Sequence, residues 1–340
     1  MSSSTKSHGE VKRWHVILFV TIAGLLTLLV LYGSFRDLLL LPGQSGFPSI
    51  IHRWHEAQSG ALMVIIFGGS LLTLLWRPQS KPLLMQYIVL SIGIICLAFA
   101  TLSGAGFTPI ILAIGVLLIG ILVAAYPRPR DLLDIRREGS LSYPLLAITF
   151  VAAILLAPII ARELNYQILG MTQQDVHALN YHWLTSVLLA LLLILGGTLA
   201  STKRPGWQAI AFIIGIAYLY LGSIALMLPD YAGSWGTIGG VLGLLGGLSY
   251  ISITLLEVQR ARKTARVSPI GINLSHNPSF RRGESGRVDV GWAFMVARGW
   301  ACHPFIDEPA SPGEPRRATI KAHPSPLHHP RPYYTRNRTT

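Results

Sequence analysis

Residues 36–78 read RDLLLLPGQSGFPSIIHRWHEAQSGALMVIIFGGSLLTLLWRP, and residues 162–205 read RELNYQILGMTQQDVHALNYHWLTSVLLALLLILGGTLASTKRP. The second stretch is a weaker copy of the first. Each opens on an arginine, an acid and, at the next position, a leucine: Arg36, Asp37 and Leu38, then Arg162, Glu163 and Leu164. About twenty residues on stands a histidine with a serine four positions later, His55 with Ser59 and His182 with Ser186. An apolar run follows with Gly68, Gly69, Ser70 and Leu71 in one copy and Gly196, Gly197, Thr198 and Leu199 in the other. Both close on Arg-Pro, and in both the histidine precedes that arginine by 22 residues. Polar residues repeated at matched spacing predict two copies of one structural unit.

Composition says what kind of unit it is. With 51% hydrophobic and 13% charged residues in 340, the chain is too apolar for an ordinary soluble protein. Apolar runs that reach the roughly 20 residues of a bilayer crossing lie near 15–33, 58–76, 85–103, 107–126, 142–161, 183–201, 208–228 and 236–255. The sequence therefore predicts an all-α polytopic membrane protein of eight transmembrane helices. They form two tandem four-helix bundles, residues 14–126 and 141–258. An even number of spans per unit makes the repeat parallel, with a pseudo-twofold axis along the membrane normal. Cys96 and Cys302 are too few for a disulfide framework or a thiolate metal site.

Charge sets the orientation. Eight crossings gather Lys12, Arg77, Lys81, Arg128, Lys203 and Arg204 on one side and leave Arg36, Arg53 and Arg162 on the other. That bias places the first side, with both termini, in the cytoplasm of a plasma-membrane protein. Residues 1–13 are then a cytoplasmic lead and 127–140 a cytoplasmic linker. Residues 259–340, rich in arginine, proline, serine and histidine, form a disordered basic tail. The net charge of +13 is set against the membrane surface, and it points to the lipid bilayer as partner and to no nucleic acid.

Between residues 16 and 275 the histidines are His52, His55, His177 and His182, and all flank the outer ends of the second and sixth spans. Imidazoles at that depth can ligate heme iron or another metal, or relay protons near neutral pH. They can equally be amphipathic belt residues beside Trp54 and Trp183. His55 and His182 hold equivalent places in the repeat, whereas His52 and His177 do not match in offset. The pairs Arg36 with Asp37 and Arg162 with Glu163 read as outer-surface ion pairs, which contribute little to stability. A run of His52, His55 and Glu56 also offers an outer-surface metal site.

This arrangement resembles the heme A synthase family of cytochrome oxidase assembly enzymes. The local match is His55, Glu56, Ala57, Gln58, Ser59 and Gly60, similar to the family's histidine followed by serine and glycine at the fourth and fifth positions, with His182 and Ser186 as counterpart. The resemblance covers residues 15–255. It implies eight spans in two halves, heme b held by His55 and His182, and assembly partners of a respiratory complex. The chain departs from the family in lacking histidines on its fourth and eighth spans, in carrying Glu56 and Trp183 where an arginine is usual, and in His52 where a glutamate is usual. These departures imply a divergent heme-binding or non-catalytic relative. A different class of function, a non-enzymatic scaffold or a small-solute carrier, is suggested by the charge-free third, fourth, seventh and eighth spans; the scarcity of ionisable residues there favours the scaffold.

Overall fold

The computed structural model describes residues 13–39, 53–102, 108–133 and 141–267. His52, most of the first long loop and the tail beyond 267 lie outside the described residues. By its internal contacts the chain divides into two units, Met1–Ile272 and Asn273–Thr340, and every described helix belongs to the first.

The described residues are almost entirely helical and contain no strand. Eight long helices account for them: α1 (Arg13–Leu39), α2 (Arg53–Leu74), α3 (Pro82–Leu102), α4 (Thr108–Ala125), α5 (Tyr143–Gln173), α6 (His182–Ser201), α7 (Trp207–Met227) and α8 (Gly236–Val267). All but α4 are long and apolar enough to cross a membrane. The apolar part of α4, Pro109–Ala125, sits at the short end of the roughly 17–25 residues a crossing takes. Large apolar side chains of α1, α5 and α8, such as Leu28, Ile154 and Leu245, lie exposed. Exposed apolar surface on this scale suits a lipid environment.

Three helices run beyond their expected ends. α1 continues through Arg36, Asp37 and Leu38, and α5 through Arg162 to Gln173, where the sequence suggested loop. Apolar counting stops at the first charge, but a helix continues while one face still packs. In α5 that face is Glu163, Gln167 and Gly170, all buried and spaced four and three apart. Likewise α8 passes the expected boundary at 259 and reaches Val267, since Glu257 to Val267 holds neither glycine nor proline and is rich in helix-forming arginine, lysine, glutamine and alanine.

Neighbours repeat between the halves. α1 packs on α2 and α5 on α6; α3 packs on α4 and α7 on α8. α2, α6 and α7 are the most buried helices, and across the two halves α2 touches α6 and α7 while α3 touches α6. α2 contains a π-helical stretch, Ala61–Gly68, a wide turn rare in proteins and frequent near functional sites. Just before it stands Gly60, where a Cβ would lie 2.8 Å from the backbone nitrogen of Leu38. The end of α1 therefore crosses α2 backbone against backbone, and only glycine permits it.

At the other end of the bundle, Ser142 caps α5 by accepting from the Leu145 N–H and donates its own hydroxyl to Glu257 at 2.7 Å. Lys203 pairs with the second oxygen of Glu257 at 3.1 Å. One carboxylate on α8 thus ties the start of α5 to the turn after α6.

Candidate functional site: an imidazole cluster where α2 and α6 begin

The local sequence places His55 in the first turn of α2 and His182 at the first position of α6. His177 sits between α5 and α6 on a one-turn helix, Val176–Leu179. The chain enters that turn through Gln174 (φ 58°) and leaves it through Tyr181 (φ 57°). Left-handed backbone at two non-glycine residues is uncommon, costs of order 1–3 kcal/mol each, and persists only where the surroundings hold it. Here Gln167 of α5 does the holding. Its amide donates to the carbonyl of Ala178 at 2.9 Å, and its oxygen accepts the Leu184 N–H at 3.2 Å. Asp175 adds a second clamp, accepting from the Ala178 N–H and from the Trp183 indole, both at 3.1 Å.

These clamps bring three imidazoles together. The rings of His55 and His182 lie nearly parallel with centres 5.0 Å apart. His177 stands 5.5 Å from His55 and 5.9 Å from His182. Trp183 packs edge-on to His55 at 4.9 Å and beside His177 at 5.3 Å. His55 is 1% exposed. The connection between α7 and α8 closes over it: a Cβ on Gly233 (φ 79°) would fall 3.1 Å from Cε1 of His55, 3.2 Å from Trp183 and 3.4 Å from Trp54. Trp54 is fully buried against Trp235, Ile224 and Leu228.

Hydrogen bonds fix part of the chemistry. The side-chain oxygen of Gln58 accepts from the Ser186 hydroxyl at 2.6 Å and faces Nδ1 of His55 at 3.3 Å. A carbonyl oxygen only accepts, so this contact favours a proton on Nδ1 of His55. Asp175 lies 3.6 Å from Nδ1 of His177 and biases that ring in the same way. Burial raises the pKa of the Asp175 carboxyl, but the Trp183 indole, the Ala178 N–H and His177 outweigh it and hold the group below the usual carboxylate range. Among the described residues no group of three or more histidine, cysteine, aspartate or glutamate side chains is placed to hold a metal ion.

The expected site residues divide accordingly. His55, His182, His177 and Ser186 meet at the cluster. Ser59 is half-buried, and its neighbour Gln58 makes the bond to Ser186 instead. Glu56 is half-buried on the first turn of α2. Arg36 is in the last turn of α1, and His52 lies outside the described residues. Arg162 and Glu163 do pair, at 2.7 Å, but not as an outer-surface ion pair: the glutamate is fully buried while the arginine is 43% exposed. Glu163 lies one turn before Gln167 on the buried face of α5. Sequence reasoning missed Gln58, Gln167, Asp175 and Gly233. Asp175 had a signal, being an N-cap residue just before a four-residue helix.

Heme b can be judged against this donor set. Imidazole is a proper ligand for heme iron. Two imidazoles on opposite sides of one iron, with metal–nitrogen bonds of about 2 Å, have centres roughly 6 Å apart and the macrocycle between them. His55 and His182 are closer and stacked on each other, and Gly233 closes one edge of His55. A bis-histidine clasp by this pair does not fit the packing; His182, the more exposed of the two, is the residue that would hold the group. Comparison with known protein families, with characterised proteins and with solved structures finds no match to this chain.

Proposed function

We propose that the chain is an eight-span plasma-membrane protein of two tandem four-helix halves, with both termini cytoplasmic and a working site at the outer rim formed by His55, His177 and His182. The equal neighbour pattern in both halves supports the tandem reading, with α4 as a short fourth crossing. The observation that carries the functional reading is the stacking of His55 on His182, one ring from each half, inside a polar shell of Gln58, Ser186 and Asp175. Buried polar groups held by such a network are costly to assemble without a use.

The resemblance to heme A synthase makes heme b the first occupant to test, held by His182 and placed in respiratory-complex assembly. Bound heme would supply a one-electron couple. The chain's own part is to present the His182 imidazole, which stacks on His55, while Gln58 holds His55, Asp175 faces His177, and Trp183 and the Gly233 connection close over His55.

The purified protein, loaded with heme b, is expected to show Soret and α bands in a reduced-minus-oxidised spectrum, and His182→Ala is expected to abolish them. Absence of bands after reconstitution, or bands indifferent to both His55→Ala and His182→Ala, removes the heme reading. Unchanged function in those variants would favour a non-enzymatic scaffold.

A further inference from the structure

We infer that Glu163 is a proton-binding site: while α5 packs on α6 its carboxyl is the neutral acid, with the proton on Oε2, and the proton leaves only when the outer part of α5 comes away from α6. The inference goes beyond the imidazole cluster and does not depend on what that cluster holds.

Burial is the first argument. Glu163 is fully buried just past the apolar run 142–161, whereas Asp37, the acid at the equivalent place in the first half, is half-buried. An ionised carboxylate out of water is costly unless it is paired and its remaining lone pairs are hydrogen-bonded. The division between its two oxygens is the second argument. Oε1 accepts from Nε and Nη2 of Arg162 at 2.9 and 2.7 Å, while Oε2 is buried and meets no hydrogen-bond donor. Arg162 is 43% exposed, so water screens its charge. As the neutral acid, the group keeps Oε1 as a carbonyl that accepts from Arg162 and carries the proton on Oε2, which removes the unmet charge. Loading breaks one O–H bond of a hydronium ion and forms the O–H bond at Oε2. Among the described residues Arg162 is the ionic partner of Glu163. α5 packs on α6, on α8 and on the one-turn helix at Val176–Leu179. From α6 comes His182, stacked on His55; from the connection come Asp175 and His177, which face each other, and Tyr181, which packs on Phe99. From α8 come Tyr250, bonded to Thr149, and Glu257, bonded to Ser142 at the opposite end of α5 and followed by basic residues. Pro158 permits the movement. It lies inside α5, five residues before Glu163, and leaves the Ile154 carbonyl without the N–H of a regular helix. Helices bend at such points, so residues 159–173 can swing while the inner part of α5 stays on α6.

The test is infrared spectroscopy of the full-length protein in lipid nanodiscs at pH 7, where an exposed glutamate, with a pKa of about 4.3, is ionised. The expected result is the carbonyl stretch of an un-ionised carboxylic acid, shifted down in deuterium oxide, present in the parent and absent from Glu163→Gln. Asp37→Asn keeps the band. Arg162→Gln also keeps it, because a neutral acid needs no counter-charge, and it moves the thermal midpoint little; this variant keeps the test readable if Glu163→Gln misfolds. Raising the pH until the band disappears is expected to open residues 159–173 to hydrogen exchange at the same pH. No acid band at pH 7, or a band unchanged in Glu163→Gln, overturns the site. A large fall in the thermal midpoint of Arg162→Gln, with no acid band, overturns it too and identifies an ion-paired carboxylate. Loss of the band with exchange over 159–173 unchanged overturns the release step.

Discussion

Asp175 shows at single-residue scale how the cluster responds to pH. Its carboxyl is held below the ordinary value in the folded protein, burial being outweighed by the Trp183 indole, the Ala178 N–H and His177. A group whose folded pKa is depressed contributes stability that is fully present above the unfolded value, about 3.9, and lost as pH falls through the folded one. Thermal midpoints in detergent are therefore expected to differ most between the parent and Asp175→Asn at neutral pH, and the difference should shrink below about pH 4. A difference that grows on acidification would show that the carboxylate is not the stabilised species. His55 and His182 could be found in the sequence because the repeat marked them twice. Gln58 and Gly233 could not. The bond from Gln58 to Ser186 crosses from one half to the other, and the tightness around Gly233 depends on three aromatic rings from two helices. No local pattern encodes either.

Among elements, the connection from α5 to α6 is held by two side chains, Gln167 and Asp175. Gln167 satisfies one backbone acceptor, at Ala178, and one backbone donor, at Leu184, on either side of His182. Gln167→Ala is expected to cost about 1–3 kcal/mol for each buried backbone group left unmet. Hydrogen exchange over residues 176–184 should then be about 10-fold faster or more, while α7 and α8 are unaffected; equal protection in both proteins would remove Gln167 from this role. The cores of the helices were legible because uninterrupted apolar runs have few other uses. Their extensions were not, because Arg36 to Leu39 and Arg162 to Gln173 look polar until the packed face is known. The glycines of α8 form a packing surface: Gly240, Gly243 and Gly247 meet Gly222 and Gly215 of α7 at backbone distance.

For the whole molecule the open quantity is the count of crossings, since α4 is short for one. With Cys96 and Cys302 replaced by serine, a single cysteine at Asp230 is expected to react with an impermeant maleimide from outside intact cells. Single cysteines at Arg128 and Arg204 should react only after the membrane is opened. A single cysteine at Arg77, ahead of α3, should do the same; if Arg77 and Arg128 label from opposite sides, α4 does not cross and the eight-span reading fails. The expected sidedness comes from charge alone, because lysine and arginine beside a membrane obey a simple asymmetry. The meeting of the two halves was not, since it depends on which faces of α2 and α6 touch.

The stacked ring pair has a consequence for how the protein fails. Neither half owns the site: one imidazole and the amide that orients it arrive on α2, while the other and the hydroxyl that completes the bond arrive on α6. A lesion anywhere along that seam can silence the site with every ligand intact, so loss-of-function changes are expected to scatter along the α2–α6 contact instead of clustering at the histidines.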